Sequence, residues 1–356
     1  MTATRQAAPP AVERRGLSRL ALLASLGCLA GAVVAGLAVG PASLGLGAVL
    51  ADLVDRLPFV EVDSGLTDRQ EAILTELRMP RVVLGGMVGA TLAVAGAAYQ
   101  GVFRNPLADP YLLGVAAGAG LGATVAIVYG PDTTSWTVDV VPLTAFLGAI
   151  AGMAAAYVLG RSAGSGRTTT TLILAGVAVA SFLTAVQTYV QQRESDSLRQ
   201  VYSWILGRLS TSGWGEVLLL LPYAALAIGV VLLHRRLLDV FQVGEEEADS
   251  LGVDTVRVRL LVVVAASLGT AAAVAVSGLI GFVGIIVPHA VRLVFGSSYR
   301  IVLPLSVILG AAFLILADLA ARTLISPAEL PIGVVTAFFG APFFAVVLWT
   351  SRRVAV

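Results

Sequence analysis

The stretch LLDVFQVGEEEADSLGV (Leu237–Val253) lies between two apolar runs, VLLLLPYAALAIGVVLL (Val217–Leu233) and LLVVVAASLGTAAAVAV (Leu260–Val276). Each flanking run is long enough to cross a bilayer. Between them stands the one polar, acidic island in the apolar second half of the chain. Its pattern predicts a short helix, a glycine hinge and a second short helix. Gly244 precedes Glu245, Glu246 and Glu247, and carboxylates are favoured in a first helical turn by the exposed N–H groups and the dipole. Ala248 and Leu251 fall three apart, on one predicted face. Gly252 stands where a helix C-terminus takes a left-handed residue. A compact, self-capped, partly apolar knob between two spans predicts docking to another protein. The plainer alternative is a solvated loop carrying a few charges.

Working outward, the same apolar pattern recurs along all 356 residues. The chain is 57% hydrophobic and 13% charged, too apolar for a single soluble core. It reads as an all-α membrane protein, multi-pass in the cell membrane and surrounded by lipid. Ten spans are expected: Leu20–Val39, Val82–Gly101, Tyr111–Tyr129, Val140–Gly160, Leu172–Val190, Gly215–Leu233, Leu260–Val276, Leu279–Val294, Ile301–Leu319 and Ile332–Thr350. Arg257–Phe295 is too long for one crossing, so a tight turn is predicted at Ser277-Gly278, with Pro288 also opposing continuous helix. Residues 1–19 form a polar tail, 20–351 a single membrane domain, and 352–356 a short second tail.

All 23 basic residues are arginine. With ten spans and the N-terminus inside, fifteen fall on the cytoplasmic side and eight on the other. That bias supports both termini in the cytoplasm, and it places the acidic knob there too. The net charge of +1 offers no field for nucleic acid. Cys28, the single cysteine, is read as a small packing residue. Glycines at small-residue spacing, Gly85, Gly89 and Gly96, then Gly114, Gly118 and Gly122, predict close helix contacts.

No catalytic constellation is expected. There is no GxxxxGK[ST] phosphate loop, nucleophile–base pair or paired carboxylate set, so any ATP hydrolysis must come from another subunit. No cofactor or metal site is expected of this chain, and His289 reads as structural. Asp318, at the outer end of the ninth span, is the clearest ionisable group near the membrane. The scarcity of such groups argues against an ion-driven secondary carrier. An embedded enzyme or structural subunit would need a polar cavity that only scattered Thr and Gln could supply. Arg78 and Arg81 sit just outside the second span and Arg322 just outside the ninth. They read either as interfacial anchors or as an outward basic group for an acidic partner.

Four segments carry a resemblance. They are RMPRVVLGGMVGATLAVAGAAYQGVFRNPLADPYLLGVAAGAGLG (Arg78–Gly122), LDVFQVGEEEADSLGV (Leu238–Val253), SGLIGFVGIIVPHAVR (Ser277–Arg292) and ADLAARTLISPAELPIGVVTAFFGAP (Ala317–Pro342). In this order they resemble the FecCD-type permease subunits of type II ABC importers for iron–siderophore complexes, heme and cobalamin. The resemblance covers about residues 20–351. It implies a type II importer permease fold with ten helices per subunit, a second copy or close paralogue forming a dimer, and a path at the dimer axis. It further implies a cytoplasmic ABC ATPase dimer that binds ATP and Mg, and an extracytoplasmic substrate-binding protein. Carried over by position, Val243, Gly244, Glu245, Glu246, Ala248, Leu251 and Gly252 resemble the element that couples to the ATPase. Arg78, Arg81 and Arg322 resemble the arginines that receive acids of the binding protein. The fifth span and Ser195–Ser210, including Tyr202-Ser203-Trp204, resemble the gate. Thr184, Gln187 and Gln191 are expected to face the path. The expected cargo is an iron(III)–siderophore complex, with cobalamin or heme as alternatives.

Overall fold

The computed structural model describes residues 17–40, 42, 44–56, 58, 62–131, 139–162, 169–209 and 213–354. Most of the N-terminal tail and the last residues therefore lie outside the described residues. Everything regular in them is helical. The order is α1 (Arg19–Ala38), α2 (Leu46–Asp55), α3 (Asp68–Ala72), α4 (Met79–Val102), α5 (Val115–Tyr129), α6 (Val140–Ser162), α7 (Thr169–Arg193) and α8 (Leu198–Ile205). Then follow α9 (Gly215–Leu233), α10 (Arg235–Phe241), α11 (Glu245–Ser250), α12 (Thr255–Ser277), α13 (Val283–Phe295), α14 (Tyr299–Thr323) and α15 (Ile332–Val354). Among the described residues, seven helical stretches are long and apolar enough to cross a membrane, and three shorter apolar helices accompany them.

The shorter three are Val115–Tyr129, Val283–Phe295 and Ile332–Val347. Two of them replace longer expected spans for local reasons. Gly114 adopts φ +79° and divides a 3-10 turn, Pro110–Leu113, from α5. Gly278 adopts φ +70° and ends α12, as its place after Ser277 predicts, but α13 resumes only at Val283. Pro288 does not break α13; it lies inside it. A proline cannot bond the carbonyl four residues back, which here is Gly284. The Gln100 side-chain amide supplies the missing donor, Nε2 to Gly284 O at 3.0 Å.

The stretch just ahead of the expected second span, from Asp68 onward, is helical. A capping box at Thr67 and Gln70 starts α3, and a π-helical turn, Ile73–Arg78, joins it to α4. The result is continuous helix over Asp68–Val102. Pro80 lies inside this continuous helix, and the carbonyl four residues back, Glu76 O, instead accepts the Gly213 N–H at 3.1 Å.

Helix α4 is the axis of the bundle, buried from Val88 to Val102 and packed against α9, α12, α13 and α14. The glycine spacing is explained by what stands opposite. A Cβ on Gly89 would collide with the Gly310 carbonyl, and one on Gly96 with the Gly284 backbone. Gly118 and Gly122 admit the α6 backbone at Gly148 and Thr144 in the same way. Helix α1 packs on α14, and α7 on α5 and α6. Cys28 is exposed on α1 rather than packed, because α1 is buried along only part of one face.

Candidate docking and coupling sites

The two ends of α14 carry the two polar groupings of interest. Its 25 residues span about 37 Å at 1.5 Å per residue. At its C-terminal end, Arg81 lies between two acids. Arg81 Nε donates to both Asp318 oxygens at 3.0 and 3.1 Å, and Nη2 donates to Oδ1 at 2.8 Å. The outer edge of the same guanidinium donates to Glu329, Nη1 to Oε1 and Nη2 to Oε2, each at 2.9 Å. Asp318 sits at the end of a span, where water is expected to reach it, yet its side chain is only 5% exposed. Glu329 is the accessible member, 45% exposed. The hydrogen bonds from Arg81 hold its carboxyl below the usual carboxylate range, against the opposing effect of burial.

Arg78 and Arg322 point elsewhere. Arg78 donates to the carbonyls of Leu37 at 2.6 Å and Ala38 at 3.0 Å, and also to Ala42. Arg322 Nη2 donates to Gly36 O at 2.5 Å. It also lies 3.4 Å from Asp318, an ion pair without a hydrogen bond. Both arginines are buried. They satisfy the last carbonyls of α1, which have no intrahelical donors, at the helix end that favours cations. Of the three arginines predicted to face outward, only Arg81 reaches the accessible edge of the cluster. A cavity of about 220 Å³ opens there, lined by Arg81, Arg208, Asp318, Glu329 and Ile332.

The segment expected to resemble the gate borders this cavity at Ser203, Gly207 and Leu209. The predicted short helix forms as α8, with Trp204 buried and Tyr202 exposed. Arg208 N–H donates to Ser277 O at 2.8 Å, and Gly333 N–H donates to Leu206 O at 3.0 Å. The segment after α8 is thereby tied to the end of α12 and the start of α15. The expected path residues divide. Thr184 is exposed on α7. Gln187 and Gln191 are buried, and Gln187 Nε2 donates to Thr124 Oγ1 of α5 at 3.1 Å. Two of the three thus turn into the helix bundle, away from the open face of α7 that carries Leu174, Val177, Phe182 and Tyr189.

At the other end of the bundle lies the knob. Helix α10, the hinge at Gly244 (φ +132°) and helix α11 follow the pattern read from the sequence. Helix α11 closes in a Schellman motif: Gly252 has φ +81°, its N–H donates to Asp249 O, and the Val253 N–H donates to Ala248 O. Ala248 and Leu251 do not share a face. Ala248 is fully buried and Leu251 is 69% exposed, because Leu251 caps the helix just as the chain turns away. Val243 is exposed as well. Two apolar side chains therefore project at either end of α11. The side chains of Glu245 and Glu246 lie outside the described residues. Asp249 Oδ1 accepts from Thr255 Oγ1 at 2.8 Å and Asp254 caps α12, fastening the knob to the next span.

Sequence reasoning missed Glu329, Asp239 and Gln100. Glu329 belongs to a quoted motif but was given no role; its partner Arg81 is 248 positions away. His289, read as structural, packs edge-on against Phe343 at 5.9 Å. Among the described residues there is no group of three or more His, Cys, Asp or Glu able to hold a metal ion.

Comparison with known proteins agrees with this arrangement. The FecCD transport family matches residues 28–350. The chain is 43% identical over 284 residues to the cobalamin import system permease protein BtuC of Halobacterium salinarum, covering 80% of this chain and 75% of the relative. It is 38% identical over 312 residues to the Fe(3+)-citrate import system permease protein YfmD of Bacillus subtilis, covering 87% and 90%. The fold is similar to a metal-chelate type ABC transporter solved in an inward-facing conformation, with a TM-score of 0.80, 29% identity, and coverage of 94% of this chain and all of that one. With the bundle, the knob and matches over nearly the full length, this multi-pass membrane protein belongs to the FecCD transport family of ABC importer permeases.

Proposed function

We propose that this chain is the membrane subunit through which an iron(III)–siderophore complex, delivered by an extracytoplasmic binding protein, passes into the cytoplasm. The observation that carries the coupling part is the exposed, self-capped α11 with Val243 and Leu251 on display. It has the form of a knob made to sit in a cleft of another protein. In this reading an ABC ATPase dimer binds ATP and Mg, and its closure moves the knob. A second copy or close paralogue covers the open face of α7. The three short apolar helices complete ten crossings with both termini inside. Arg81 meets an acid of the binding protein at the cavity beside Glu329, while Arg78 and Arg322 hold the end of α1 beneath it.

A cargo of cobalamin is the second reading, favoured by the 43% identical relative named for cobalamin import. Both cargoes are bulky and would be delivered by another protein, which fits a bundle that needs few fixed ligands. Uptake of radiolabelled iron–siderophore and of radiolabelled cobalamin, compared in a strain lacking the gene, tests the cargo. Loss of iron uptake alone supports the first reading, and loss of cobalamin uptake alone replaces it with the second. Bulky replacements at Gly244 and Gly252 should separate ATP hydrolysis from uptake, since both positions have positive φ. Normal coupled uptake in that variant would remove the coupling assignment.

A further inference from the structure

A coupling knob is useful only if its movement reaches the rest of the bundle. Helices α10 and α11 enter the core through the apolar side chains of Leu238, Phe241 and Ala248. One contact is different. Asp239, in the middle of α10, puts its carboxylate on the first turn of α14. Oδ1 accepts the Tyr299 backbone N–H at 2.5 Å, and Oδ2 accepts the Ser298 hydroxyl at 2.9 Å. Arg300 Nε lies 3.4 Å from Oδ2. Three successive residues, the N-cap Ser298 and the first two of α14, therefore converge on one carboxylate from another helix. The arrangement is strong for two reasons. A helix N-terminus favours negative charge, and hydrogen bonds to an ionised acceptor are the stronger kind.

The bond continues beyond α14. The Tyr299 hydroxyl accepts from Arg292 Nη2 at 3.2 Å, and Arg292 Nη1 donates to Gln100 Oε1 at 2.5 Å. Gln100 in turn donates to Gly284, the carbonyl released by Pro288. Helices α10, α14, α13 and α4 are joined by one polar chain that begins at Asp239. Helix α14 then runs to Asp318 and Arg322 at the far end of the bundle.

We propose that Asp239 is the positioning residue that transmits movement of the knob to α14, so that the Arg81–Asp318–Glu329 cluster responds to events at the ATPase. The proposal rests on the coupling role assigned to residues 243–252. Its test keeps the two apart. The permease is purified in complex with its ATPase subunits, with Cys28→Ser and spin labels at Tyr202 and Leu324. Both labelled positions are exposed, on α8 and at the end of α14. The distance between them is measured with and without ATP and vanadate. A clear shift is expected with Asp239 present, reduced to less than about a third of that shift in Asp239→Ala. Ser298→Ala, which removes one of the three partners, should fall between, and it serves as the test if Asp239→Ala does not fold. Asp239→Glu should restore part of the shift, which a purely structural role would not require.

A full shift in Asp239→Ala, or in Ser298→Ala if only that variant folds, overturns the proposal. Loss of the ATPase subunits from folded Asp239→Ala also overturns it, because Asp239 would then act in docking rather than transmission. Leu251→Asp is the separate control for the coupling role. If it retains the ATPase subunits and the full shift, the coupling reading fails, whatever Asp239 does.

Discussion

Asp318 is the acid whose removal should damage the protein most. Its side chain is 5% exposed and accepts three hydrogen bonds from Arg81, while the Arg322 guanidinium, itself 4% exposed, lies 3.4 Å away. At that separation the Arg322 attraction alone is about 5 kcal/mol for an effective dielectric constant of about 20. Repulsion between the two arginines and the loss of hydration oppose it. Removing one partner of a buried pair typically costs about 3–5 kcal/mol, because the other charge stays buried without compensation. Asp318→Ala should do so at Arg322, which keeps only the Gly36 carbonyl. Arg81 still has Glu329 and suffers less. At about 2 °C per kcal/mol for a chain larger than a small domain, the unfolding midpoint in lipid nanodiscs should fall by about 6 °C or more at a fixed scan rate. Asp318→Leu combined with Arg322→Leu should recover much of the loss, since it buries no unpaired charge. A fall of less than about 2 °C for Asp318→Ala, or a double variant no better than the single, would refute the reasoning.

Three further outcomes follow from other contacts. Gly96→Val should impair accumulation of folded protein, at a cost of about 3 kcal/mol or more, because its side chain would enter the Gly284 backbone; Gly27→Ala, with open space around it, should be neutral or slightly stabilising, and expression with fluorescence-detected size exclusion compares them. Gln100→Leu should cost about 1–3 kcal/mol by leaving the Gly284 carbonyl and Arg292 without their partner, and Pro288→Ala in the same chain should recover part of it by restoring a backbone donor, which a double-mutant cycle of unfolding midpoints measures. Glu329 has a folded-state pKa below its ordinary value of 4.5, so its contact with Arg81 contributes fully above that value and is lost as pH falls through the lower one; Glu329→Gln should flatten the limb over which stability falls as pH drops below 4.5, and an unchanged limb would assign it to other groups.

What the sequence alone determined was local. Apolar length identifies helices that bury their own backbone polar groups, because a bilayer offers no others. A glycine before three acids and another eight positions later specify the hinge and the Schellman end of α11, since each requirement is met within a few residues. The spacing of Gly89 and Gly96 announces close packing but not its partner, which the fold supplies as Gly310 and Gly284. Tertiary structure alone decided the rest. Arg78, Arg81 and Arg322 look equivalent as cations at span ends, yet one meets two acids and the other two close the end of α1. Pro288 looks like a helix breaker until Gln100, 184 positions from Gly284, provides the donor. Charge pairing and donor replacement depend on distance in space, and in a bundle the groups that meet are set by which helices touch, not by where they lie along the chain.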